Sequence, residues 1–173
     1  MLGHRGKAIP DSGNILNYLE TAANFELPGL DCSDCDLQLP LLETTDAAVG
    51  AFAGCFKAFA IMMENNDDSK QPEIAAALTK KLACLDAHCK DSGPESPFLC
   101  GKRISAIDCK CLPLLYHIDI AGETLKGYTI PDELEHLHTY KKYGFATKAF
   151  KISSYPADAV LDGWMMHMSC AVE

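Results

Sequence analysis

From residue 44 onward, apolar side chains in this 173-residue chain recur three and four positions apart, and strand-like alternation is nearly absent. That period draws one apolar stripe along a helix, so the stretch can bury a core only by packing helix against helix. Val49, Phe52, Ala53, Phe56, Ala60 and Met63 form one such face, read as a single helix, until NNDDSKQP interrupts it. A second helix places Ile74, Leu78, Leu82 and Leu85 inward and Lys80, Lys81 and Lys90 outward. It stops at DSGPESP, where a glycine and two prolines forbid continuation. A third carries Ile107, Cys111, Leu114, Leu115 and Ile118, with Pro113 inside it removing one backbone bond and predicting a bend. Pro131 suits the first turn of a helix running through Leu134, Leu137 and Tyr140, and Val160, Leu161, Trp164, Met165 and Met168 outline the last one. The expected fold class is all-α, a bundle of helices.

The front of the chain differs. IPDSGNILNYLE reads as a turn and a short helix, with Ser12 as N-cap and Ile15, Leu16 and Leu19 as its stripe. ANFELPGLDCSDCDLQLP, rich in proline, glycine and aspartate, reads as a linker. The predicted division is 1–22, a linker at 23–43, and a helical domain at 44–173. A chain of this length buries about 70% of its unfolded surface, so the fold needs no metal or disulfide staple. A net charge of −9 argues against nucleic acid and anionic lipid as partners. No run approaches the roughly 18 to 20 apolar residues of a membrane span, and MLGHRGKAIPDSG has no apolar secretory core, so the protein is not expected to be secreted.

Nine cysteines at irregular spacing do not form a disulfide framework. Cys32 and Cys35 make a C-x-x-C, but Asp31, Asp34 and Asp36 surround them, and negative neighbours disfavour a thiolate. No second pair at zinc-site spacing accompanies them, and His136 and His138, two apart on a helix, do not share a face. No metal site is expected. Cys55, Cys84 and Cys111 read as small core residues. Ser105-Ala106-Ile107-Asp108 reads as a structural capping box with aspartate in its fourth position, hydroxyl and carboxylate each accepting from a first-turn amide.

PFLCGKRISAIDCKCLPLLYHI, with Phe98, Gly101, Ser105, Asp108, Pro113, Leu115, Tyr116 and His117 in combination, resembles the central buried helix of plant-type dehydroascorbate reductases among the glutathione transferases. It is also similar, less closely, to chloride-intracellular-channel proteins. LACLDAHCKDSGP, YTIPDELEHLHTYKKYGFATKAF and the later DGW extend the likeness over most of residues 44–168. KAIPDSGNIL resembles the last turn and helix of that family's thioredoxin-like domain. The resemblance thus implies a glutathione-transferase C-terminal-like bundle carrying only a remnant of the thioredoxin-like half.

It also implies site residues. Asp11 and Ser12 match an aspartate-serine pair that helps bind the glutamyl end of glutathione, a role suited to a helix N-terminus. His117 and Trp164 match a histidine and a tryptophan of the glutathione and ascorbate site. The family's reactive cysteine lies well upstream of the aspartate-serine turn; only ten residues precede Asp11 here, and none is cysteine. The expectation is therefore a non-catalytic relative with no catalytic residue and no cofactor, serving as an interaction or accessory subunit of a larger complex. A protein partner would cover the face left by the missing half, in chloroplast or cytoplasm. The alternative is part of a glutathione-dependent dehydroascorbate reductase whose thiol-bearing region is absent from this sequence.

Overall fold

The computed structural model describes residues 2–4, 7–10, 45–93 and 95–170, together with Asn14, Ile15 and Tyr18. Two short strands open the chain, β1 (Leu2–His4) and β2 (Lys7–Ile9), paired antiparallel with Leu2 opposite Ile9 and His4 opposite Lys7. Strands of three residues are too short to show alternation, which is why the sequence does not announce them. Asn14, Ile15 and Tyr18 are helical, where a short helix is expected. Leu16 and Leu19 lie outside the described residues, as do Asp11, Ser12, Cys32 and Cys35.

The other described elements are helical, apart from an isolated bridge between Phe98 and Gly101. α1 (Asp46–Phe52) begins under a cap, the Thr45 hydroxyl accepting from the Ala48 amide at 3.2 Å. α2 (Cys55–Glu64) follows after a break that the apolar period does not foretell. Gly54 adopts a left-handed φ of 81°, a conformation glycine reaches at little cost, and the expected single helix becomes two. Within the 19 residues from Asp46 to Glu64 an 18-residue window has a mean hydropathy of 1.4, long and apolar enough on composition to cross a membrane, yet Gly54 divides them. The polar turn after Glu64 is held internally, the Asn65 amide donating to the Gln71 side chain at 2.7 Å and Lys126 donating to the Asn65 carbonyl at 2.7 Å.

α3 (Gln71–Ser92) is the longest described element, and Leu78, Leu82 and Leu85 on its inner stripe are fully buried. The central run starts with α4 (Asp108–His117), passes through one π turn (Ile118–Gly122) and finishes as α5 (Glu123–Lys126). Pro113 lies within α4, which remains one helix. α6 (Glu135–Ala146), α7 (Lys148–Ser153) and α8 (Ala157–Cys170) complete the bundle. Pro131 precedes α6 instead of opening it; its carbonyl accepts from the Leu134 amide at 3.1 Å in the approach turn. α6 crosses close to α4 because Gly144 has no side chain: a Cβ there would collide with Leu112 Cδ2.

The core gathers Phe59, Met62, Met63, Leu82, Leu115, Ile118 and Leu137, all at zero exposure. At the start of α4 this apolar mass encloses one carboxylate, Asp108, also at zero exposure. It accepts from the Leu99 amide (3.0 Å), the Ser105 amide (2.8 Å), the Ser105 hydroxyl (2.5 Å) and the Tyr140 phenol (2.9 Å). The expected capping box is thus half present. The carboxylate reaches back to the Ser105 amide as it should, but the serine hydroxyl donates to that carboxylate instead of accepting from the helix. With four donors around it, the carboxylate meets the requirement that a buried charge be hydrogen-bonded on all sides.

Candidate functional site

The opposite end of α4 opens to solvent. His117, its last residue, is half-buried and faces Trp164 of α8, whose indole Nε1–H donates to His117 Nδ1 at 3.1 Å. The two rings stand edge to face, centroids 6.3 Å apart at 84°. Trp164 is 9% exposed and is wedged edge-on between Phe59 (5.0 Å) and His167 (5.4 Å). His167 in turn contacts the Glu64 carboxylate, Nε2 to Oε1 at 3.0 Å, closing the wall between α2 and α8. Burial holds the His117 imidazole below its ordinary titration range, so the neutral form prevails near pH 7.

Glu64, His117, Trp164 and His167 line an open groove of about 650 Å³, with Phe56, Tyr155 and Val160 adding apolar surface. The size suits a small molecule or the edge of another protein. Phe56 is 59% exposed and Tyr155 69% exposed, so neither is spent on the core. Tyr155 is held in place through its carbonyl, which accepts from the Tyr116 phenol at 2.8 Å. Phe56 was expected on the buried face of the first helix; the break at Gly54 re-aims α2 and leaves it at the groove.

Two of the four residues expected at a glutathione site, His117 and Trp164, are therefore brought together, and Asp11 and Ser12 lie outside the described residues. The sequence reading missed Glu64, His167, Phe56 and Tyr155. Only His167 carried a signal, lying three residues beyond Trp164 on the same helical face.

Among the described residues no cysteine lines the groove. Cys55 and Cys111 are buried as expected, and burial pushes the Cys55 thiol up to about 11 and the Cys111 thiol well above its usual range. Cys84, expected in the core, is exposed, its thiol directed to the Lys80 carbonyl at 3.4 Å; it lies on the lysine-bearing face of α3. Cys89 borders a separate hollow of about 200 Å³ with Phe98, Tyr140 and Tyr143, and burial raises its thiol to about 12. Among the described residues no group of three or more His, Cys, Asp or Glu is placed to hold a metal ion. The His138 ring instead meets the Pro131 carbonyl at 3.1 Å.

Comparison with known proteins gives a consistent result. The family profile "Glutathione S-transferase, C-terminal domain" matches residues 68–140. The chain is 31% identical over 163 residues to the "Probable glutathione S-transferase DHAR1, cytosolic" of Oryza sativa subsp. japonica, covering 94% of this chain and 67% of that protein. It is 31% identical over 125 residues to the "Probable glutathione S-transferase DHAR2, chloroplastic" of the same plant, covering 72% of this chain and 44% of the relative. Among solved structures, the dehydroascorbate reductase of Chlamydomonas reinhardtii superposes with a TM-score of 0.69 at 23% identity, covering 91% of this chain and 66% of that one. The CLIC homologue EXC-4 from C. elegans superposes with a TM-score of 0.73 at 20% identity, covering 92% and 59%. The bundle is thus the helical fold of these proteins, and the chain spans about two thirds of the rice cytosolic relative's length.

Proposed function

The chain belongs to the dehydroascorbate-reductase-type glutathione S-transferases, and we propose that its own role is non-catalytic: an interaction or accessory subunit that keeps the family's binding groove without its reaction centre. One observation carries this reading. Among the described residues, the groove that holds His117 and Trp164 offers two imidazoles, an indole, the Glu64 carboxylate and apolar walls, but no thiol. The family chemistry to which the resemblance points needs an activated cysteine, made by a helix N-terminus or by cationic neighbours. Cys55, Cys89 and Cys111 are driven the other way by desolvation. Exposed Phe56 and Tyr155 beside the groove fit a surface that a protein partner covers. In this reading residues 44–173 are the working module, 1–22 belong to the thioredoxin-like half, and the protein acts in the chloroplast or the cytoplasm.

A second reading is favoured by length. About a third of the rice cytosolic relative has no counterpart in the aligned chain. A thiol-bearing region supplied in the natural protein would make these residues the helical half of a glutathione-dependent dehydroascorbate reductase. The intact mass of the protein from its native source separates the two, 18.8 kDa for the module against a mass larger by a thioredoxin-like domain for the enzyme. Turnover tests the first reading itself. The 173-residue chain should reduce dehydroascorbate with glutathione no faster than the uncatalysed mixture. Turnover that disappears in Cys32→Ser would overturn the proposal.

A further inference from the structure

The contact between Trp164 and His117 constrains a proton that the ring positions alone do not show. An indole N–H can only donate. Its acceptor, His117 Nδ1, must therefore present a lone pair, and a neutral imidazole with a bare Nδ1 carries its proton on Nε2. The imidazolium form cannot take part, because both of its nitrogens are donors. Burial acts in the same direction, favouring the neutral ring.

We infer that Trp164 is a positioning residue: it fixes His117 as the Nε2–H tautomer, so that the groove meets its ligand with an imidazole donor and takes an acceptor oxygen there. The inference rests on the groove being a ligand site. Among the described residues none takes the Nε2 proton, while His117 itself lines the groove. The rest of the wall decides which acceptor fits. Glu64 places a carboxylate in the same groove, engaged by His167, and among the described residues no lysine or arginine lines it. A carbonyl or hydroxyl oxygen is accepted there without the repulsion that a carboxylate would meet from Glu64. Phe59, edge-on behind the indole, keeps Trp164 in register, so the constraint on the imidazole passes back into the core.

The tautomer is read directly by long-range ¹H–¹⁵N correlation on the ¹⁵N-labelled 173-residue chain at pH 7.5, without ligand. The expected result is an Nε2-protonated His117 in excess over the Nδ1-protonated form by on the order of tenfold, the ratio one hydrogen bond sustains. In Trp164→Phe, which keeps an aromatic ring against Phe59, the excess should fall to within a few-fold. A purely structural tryptophan would leave that ratio unchanged. An Nδ1-protonated or doubly protonated His117 in the unsubstituted protein, or an unchanged ratio in Trp164→Phe, would overturn the inference. Should Trp164→Phe fail to fold, scalar coupling across the hydrogen bond from indole Nε1 to His117 Nδ1 in the unsubstituted chain decides it, and its absence is contrary. Titration of the same sample with dehydroascorbate, which offers carbonyl and hydroxyl oxygens and no carboxylate, tests the groove separately: unmoved His117 resonances would remove the ligand site and leave the tautomer assignment intact.

Discussion

The two ends of α4 carry polar side chains in opposite circumstances. At its N-terminal end, Asp108 is fully buried and saturated, with four donors drawn from Leu99, Ser105 and Tyr140. At its C-terminal end, His117 is half-buried, receives a bond on one nitrogen and faces an open groove with the other half of its capacity unused by described residues. Saturation inside a core is what stability requires of a polar group. Spare capacity at a concave surface is what recognition requires. One helix therefore carries an anchor at one end and, in the proposed role, a reader at the other, with the π turn directly after His117.

The largest effect should come from breaking the anchor. Asp108→Ala leaves the Ser105 and Leu99 amides and the Tyr140 phenol without their partner in a dry core, a loss on the order of 4 kcal/mol. Urea titration should find the variant largely unfolded, and a loss below about 1 kcal/mol would mean that the network is not an anchor. Gly144→Val comes next. Its side chain would meet Leu112 where the two helices touch, and overpacking of this kind costs about 1–3 kcal/mol in thermal unfolding. Tyr140→Phe removes a single donor from Asp108 and should cost about 1 kcal/mol, sharpening the ranking within the anchor.

The reader end should respond weakly in stability and clearly in pH dependence. His117 binds its proton less readily in the folded chain than in the unfolded one, whose ordinary value is 6.5. Between the lowered folded value and 6.5 the unfolded state holds more protons, so stability rises with pH across that window. Acidification should therefore destabilise the protein, and His117→Asn should flatten this part of the profile. An unchanged slope in that variant would assign the effect to another group.

This difference between the ends also explains what the sequence could disclose. Periodicity located the inner stripe of α3 at Leu78, Leu82 and Leu85 and the buried face of α8 at Val160 and Trp164, because helix-on-helix burial is written in spacing. It could not locate the break at Gly54, since Phe52 and Phe56 stay in phase across it, and so it assigned Phe56 and Val49 to a core from which both are absent. Asp108 was visible as a capping residue, but its bonds to Leu99 and Tyr140 come from distant elements and reverse the expected role of Ser105. His117 and Trp164 were legible only through resemblance, 47 positions apart in sequence and joined by one hydrogen bond in the fold. The expectations for Asp11 and Ser12 lie outside the described residues.

Thiol reactivity, mapped cysteine by cysteine, tests most directly whether the groove lacks a reaction centre. Alkylation by iodoacetamide across a pH series, read by peptide mass spectrometry with and without glutathione, covers all nine cysteines in one experiment. A groove without a reaction centre predicts that none shows the enhanced reactivity near neutral pH of an activated thiolate, with Cys55 and Cys111 modified only on unfolding. A cysteine that alkylates with an apparent pKa below about 7 and is shielded by glutathione would contradict it.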